Sequence, residues 1–121
     1  MPRAIEQVVD ADTLAHIATG NCYHSAFVTL RSEQERFNGW VLCHGRPVLT
    51  GGPFEGCEFG HAWIESPDGR IVFDTEKFMF VPAHIYYMVG QITKPVIKFS
   101  LREAWMKSML FGHYGPWEQE N

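Results

Sequence analysis

The apolar positions of this chain change period several times, and each change predicts a new element. Over residues 4–19, Ile5, Val8, Val9, Leu14 and Ile17 recur at helical spacing, with Asp10 or Asp12 placed to cap a break and Gly20 read as the helix stop. A second helix is predicted from Cys22 to about Leu30, its apolar side built from Cys22, Ala26, Val28 or Thr29, and Leu30, before residues 32–36 turn polar. Tyr23, Phe27, Val28 and Thr29 would suit a strand as well.

Asn38-Gly39 marks a turn, and Trp40-Val41-Leu42-Cys43-His44 reads as a short buried strand bounded by Gly45. Residues 45–58 gather Gly45, Pro47, Gly51, Gly52, Pro53 and Gly56, which predicts a loop of the kind that borders functional sites. Residues 59–65 and 71–74 read as two strands joined through Pro67-Asp68-Gly69-Arg70, a hairpin signal. With Asp68-Gly69 at the turn, Trp63 opposes Asp74, and His61, Trp63 and Asp74 share one face, while Ile64, Ile71 and Phe73 share the other. A glycine bulge would instead place Phe73 on the histidine's face, and the cleaner apolar sorting favours the first register.

Further on, residues 83–90 predict a short helix closed by Gly90, and residues 95–99 a last strand. Ser100 and Glu103 have the spacing of a capping box, opening a helix through about Phe111. Residues 112–117 end that helix and fold back over the core. The expected architecture is one α+β domain over residues 1–121, with helices packed on a small, mainly antiparallel sheet.

Composition narrows the function classes. The 121 residues carry a formal charge of −4, and the ten Lys and Arg are scattered, which argues against nucleic-acid binding. No stretch approaches the ~20 apolar residues of a membrane span, and Met1-Pro2-Arg3-Ala4-Ile5-Glu6 lacks the apolar core of a signal peptide, so a cytoplasmic protein is expected. Three cysteines, an odd number, read as free thiols rather than a disulfide framework.

Chemistry concentrates at three places. Cys22, expected at the first turn of a helix, would face unpaired backbone N–H groups and the positive end of the helix dipole, which favour thiolate. His61 offers a base, and Asp74 a carboxylate to orient it. Taken together, Gly20-Asn21-Cys22-Tyr23, Gly60-His61-Ala62-Trp63-Ile64-Glu65 and Asp74-Thr75 resemble the transglutaminase-like branch of the papain-like cysteine enzymes.

The resemblance spans residues 20–75 and implies a papain-like/transglutaminase-like core with the nucleophile at a helix N-terminus. It implies Cys22 as nucleophile, His61 as general base and acid, and Asp74 as the group that fixes the imidazole. Asn21, Tyr23 and Trp63 would line the substrate, a peptide, protein or small amide. Neither cofactor nor metal is required. The Cys22 backbone N–H is one candidate oxyanion donor. The glutamine that papain-like enzymes often place before the cysteine is replaced by His16, so the second donor is unassigned. Glu65 and Glu76 flank the expected site, either as solvated strand ends or as selectors of amine-bearing substrates.

Two other readings compete. Cys22, His24, Cys43, His44, Cys57 and His61 are all zinc-type ligands, although only Cys57 and His61 stand at a usual interval. The same fold without catalysis would be a binding or inhibitor module.

Overall fold

The computed structural model describes residues 11–117, and for residues 11–21 the backbone alone. The expected elements before residue 11 lie outside the described residues. Helix α1 runs unbroken over Ala11–Ser32, so Gly20 is not a stop and Cys22 is not at a helix start. The correction has a simple cause. A glycine inside a helix costs only about 1 kcal/mol, no proline interrupts this stretch, and a break would strand backbone donors and acceptors at two new ends. Burial of Cys22, Tyr23, Ala26, Phe27 and Leu30 against the sheet outweighs the glycine's cost.

Five strands follow in one antiparallel sheet: β1 (Val41–Gly45), β2 (His61–Glu65), β3 (Ile71–Asp74), β4 (Met79–Pro82) and β5 (Ile97–Phe99). Their spatial order is β4-β3-β2-β1-β5, which puts β2 at the centre. The β2–β3 pairs are Ile64↔Phe73 and Glu65↔Val72, the register expected from apolar sorting. The link differs from a two-residue turn. Ser66 N–H donates to Ile71 O at 2.9 Å, Gly69 takes φ 74°, and Ser66 Oγ accepts from the N–H groups of Arg70 and Ile71. A symmetric loop over residues 67–70 preserves the register that the shorter turn would have set.

β4 is an addition to the expected elements. Phe78 adopts φ 55° and reverses the chain, so that Asp74↔Met79 through Ile71↔Pro82 form a ladder. Helix α2 (Ala83–Val89) closes at Gly90, and α3 (Leu101–Phe111) opens on the Ser100–Glu103 capping box, with Gly112 in the left-handed conformation at its end. Both helix boundaries match the sequence signals. Trp117 then folds back onto His44 and Phe99, with ring centroids 5.1 Å from each.

Both sheet faces are covered, and for that reason every β2 residue is buried. One face meets α1 and α3 through Leu42, Ala62, Ile64, Phe73 and Phe99. The other meets α2 through Cys43, Trp63 and Val72. Gly45 allows the sheet to close over Trp63, since a Cβ there would stand 2.5 Å from the indole. Among the described residues, no helix is long and apolar enough to cross a membrane.

Candidate active site

Strand register brings His61 and Asp74 together. His61 Nε2 lies 3.3 Å from Asp74 Oδ2, with both side chains buried. Asp74 Oδ2 also accepts from the Tyr86 hydroxyl at 2.5 Å. The other oxygen, Oδ1, accepts the backbone N–H groups of Glu76 and Lys77. Four donors saturate the carboxylate. Burial acts to raise its pKa, but the hydrogen bonds from His61 and Tyr86, the His61 charge and the Lys77 N–H outweigh burial and hold Asp74 well below the usual carboxylate range.

An ionised Asp74 can only accept, so His61 Nε2 carries the hydrogen in this contact. In its neutral form the ring presents a lone pair at Nδ1. That atom is buried and has no hydrogen-bond partner. It is the free end that a general base needs.

Cys22 is fully buried and packs with Ala62, the residue next to His61. Alternation along β2 turns Ala62 and Ile64 toward α1, and His61 and Trp63 toward α2, their rings 5.9 Å apart. Cys22 and His61 therefore reach β2 at neighbouring positions from opposite faces, and no hydrogen bond joins the thiol to Nδ1. The β2–β3 ladder stops at Ile64↔Phe73, beside these residues.

The expected helix-start activation of Cys22 is absent. Burial pushes its thiol up to about 12, opposed by the backbone N–H of Ala62 and, more weakly, those of Tyr23 and Cys22, while the Glu76 charge adds to the rise. The resting side chain is a neutral thiol. Because Cys22 lies in the helix interior, its N–H belongs to the i→i−4 ladder and is not a free oxyanion donor, in contrast to the sequence expectation.

The expected substrate walls are also reassigned. Tyr23 and Trp63 are buried core residues, since Tyr23 packs edge-on to His44 and Trp63 sits under α2 against Tyr86. The side chain of Asn21 lies outside the described residues. Glu65 is neither a solvated strand end nor a site wall. It is buried, accepts from Trp63 Nε1 at 3.0 Å and from the Tyr87 hydroxyl, and pairs with Lys98 at 3.0 Å. Burial raises its pKa, but the bonds from Tyr87, Trp63 and Lys98 win and hold it below the usual range. Glu76 stays at the site, where burial raises its carboxyl, opposed by the His61 charge and reinforced by Asp74.

Cys43 is a buried strand residue and Cys57 an exposed loop thiol. No three His, Cys, Asp or Glu side chains converge as a metal-ligand set among the described residues, so the zinc-type ligands of the sequence are not gathered. Sequence reasoning missed Tyr86. Its only signal is the Tyr86-Tyr87 pair on a short helix, whose two hydroxyls reach separate buried carboxylates, Asp74 and Glu65.

Comparisons of the chain with family models, curated proteins and solved structures gave no match.

Proposed function

We propose that this chain is a small cysteine hydrolase or acyl transferase on a papain-like/transglutaminase-like core, acting on the amide or ester carbonyl of a peptide, protein or small amide. The observation that carries the reading is the buried His61–Asp74 pair, oriented through Nε2 with Nδ1 left unpartnered, one residue from the strand position against which Cys22 packs. A helix laid on an antiparallel sheet whose adjacent strands supply histidine and aspartate supports the same reading.

In this scheme, His61 Nδ1 removes the Cys22 thiol proton as sulfur attacks the carbonyl carbon. The imidazolium, supported by Asp74, returns that proton to the leaving amine or alcohol as the tetrahedral intermediate collapses to a thioester. Water or an amine then attacks the thioester while giving its proton to His61, and the imidazolium returns that proton to the Cys22 sulfur as the C–S bond breaks and the acyl group leaves. His61 Nδ1 has no hydrogen-bond partner at rest, so the scheme requires the thiol–imidazole hydrogen bond to form when substrate binds.

The complete burial of Cys22 favours a second reading, a non-catalytic binding or inhibitor module. Incubation with p-nitrophenyl acetate, followed by intact-mass and peptide mapping, separates the two. The enzyme reading expects an acetyl group on Cys22 that is lost in Cys22→Ala and strongly reduced in His61→Ala. Acetylation confined to Cys57, with p-nitrophenol release unchanged in Cys22→Ala, would sink it.

A further inference from the structure

Asp74 Oδ2 is shared by two donors, and they do not share it equally. The Tyr86 hydroxyl lies at 2.5 Å and His61 Nε2 at 3.3 Å. N–H···O bonds usually run about 2.7–3.2 Å and charge-assisted O–H···O⁻ bonds about 2.5–2.7 Å, so the imidazole bond is long for its type while the phenol bond sits at the tight end of its own. Oδ1 is anchored by the backbone N–H groups of Glu76 and Lys77, which fix the carboxylate plane independently of either side chain. The difference between the two bonds therefore lies at Oδ2.

Tyr86 is well placed to hold that position. Its ring packs 5.2 Å from the Trp63 indole, and α2 is tied to the hairpin by the Ala83 N–H on Arg70 O at 2.8 Å. Burial foremost, then the Asp74 charge and hydrogen bond, push the phenol pKa upward, so the hydroxyl remains a donor throughout the working pH range. A phenol that cannot ionise is a fixed hydrogen-bond source against the carboxylate.

We propose that Tyr86 is a positioning residue for this site: by claiming Asp74 Oδ2, its hydroxyl keeps the Asp74–His61 hydrogen bond long and limits how strongly the carboxylate supports a charged imidazole. The role rests on the Cys22–His61–Asp74 reading for its catalytic meaning, although the hydrogen-bond competition itself does not. A weaker Asp–His bond leaves the ring free to reorient Nδ1 toward the thiol when the contact closes. It also returns the proton to the leaving group more readily, because the imidazolium is less stabilised.

Tyr86→Phe is the test, since Phe keeps the ring that packs on Trp63 and removes only the hydroxyl. The readout is the His61 Nε2–H proton resonance of the folded protein, assigned by its loss in His61→Ala. The expected result is a downfield move in Tyr86→Phe as His61 gains sole use of Oδ2 and the bond shortens. An unmoved or upfield resonance would overturn the proposal, because Tyr86 would then be merely packing. Should the variant fold poorly, the native protein carries the same test through a Tyr86 hydroxyl proton resonance. The proposal requires that resonance to lie far downfield and exchange slowly, and a fast-exchanging hydroxyl overturns it. Acetylation of Cys22 by p-nitrophenyl acetate at neutral pH judges the catalytic reading separately. If Tyr86→Phe moves the resonance while His61→Ala leaves acetylation unchanged, the competition stands and the thiol relay falls.

Discussion

Asp74 holds His61 by one ring nitrogen, at 3.3 Å, and leaves the other buried without a partner. An unmet buried polar atom costs about 1–3 kcal/mol, and at His61 it is one ring nitrogen beside another that is held by a carboxylate. The asymmetry directs experiments first to Asp74.

Asp74→Ala removes the acceptor for the His61 ring, the Tyr86 hydroxyl and two backbone N–H groups, all of them at a buried position. Denaturant unfolding should show a loss of about 1–3 kcal/mol for each buried donor left without an acceptor. The wild type should also show an acid limb. Asp74 is held below its unfolded value of about 3.9, so its stabilisation is present above that pH and is lost as pH falls through the folded value. Asp74→Asn should flatten that limb.

The alkaline side should be governed by Cys22 and groups like it. Burial raises its folded-state value to about 12, against about 8.5 for an unfolded thiol, so between these pH values the unfolded state binds fewer protons. Stability must fall with rising pH through this window, by at most about 1.4 kcal/mol per pH unit from this group. Cys43, Tyr23 and Tyr86, whose values burial also raises, act in the same direction. Cys22→Ala should reduce the slope of unfolding free energy against pH without abolishing it.

His44 makes the opposite prediction in acid. Both of its ring nitrogens are buried without a partner, in a cage formed by Tyr23, Phe99 and Trp117, and burial lowers its value to about 3. The unfolded ring binds a proton near pH 6.5, so stability should drain as pH falls from about 6.5 toward the folded value. His44→Leu should lose less stability than wild type between neutral pH and pH ~4, read as the shift in urea midpoint.

Glu65 tests whether the second buried carboxylate is structural. Glu65→Leu leaves Trp63 Nε1 and the Tyr87 hydroxyl without an acceptor, whereas Lys98, about half exposed, turns to water. The expected loss is about 1–3 kcal/mol for each stranded donor, measured as a lower thermal midpoint. Acetylation of Cys22 should survive wherever the variant is folded, because Glu65 touches none of the proposed site residues.

Much of the site was legible because local rules govern it. Alternation of Ile64, Ile71 and Phe73 against His61, Trp63 and Asp74 leaves one register that sorts the apolar side chains, and that register brings His61 to Asp74. Gly90 and the Ser100–Glu103 box announced their helix ends because a cap is a contact between chain neighbours. Cys22 was misplaced for a related reason. Gly20-Asn21 looks like a stop in isolation, but the apolar stripe from Cys22 to Leu30 gains more from packing on the sheet than the glycine loses.

By itself, the sequence determined the α+β class, the central hairpin and its register, the closing glycine of α2 and the capping box of α3, because period, turn and cap chemistry act over a few residues. Only the tertiary structure decided that Cys22 is a buried, neutral thiol, that β4 pairs with β3, and that Tyr86 shares the oxygen of Asp74 with His61. Desolvation and long-range pairing depend on what packs from elsewhere in the chain, and no local pattern records that.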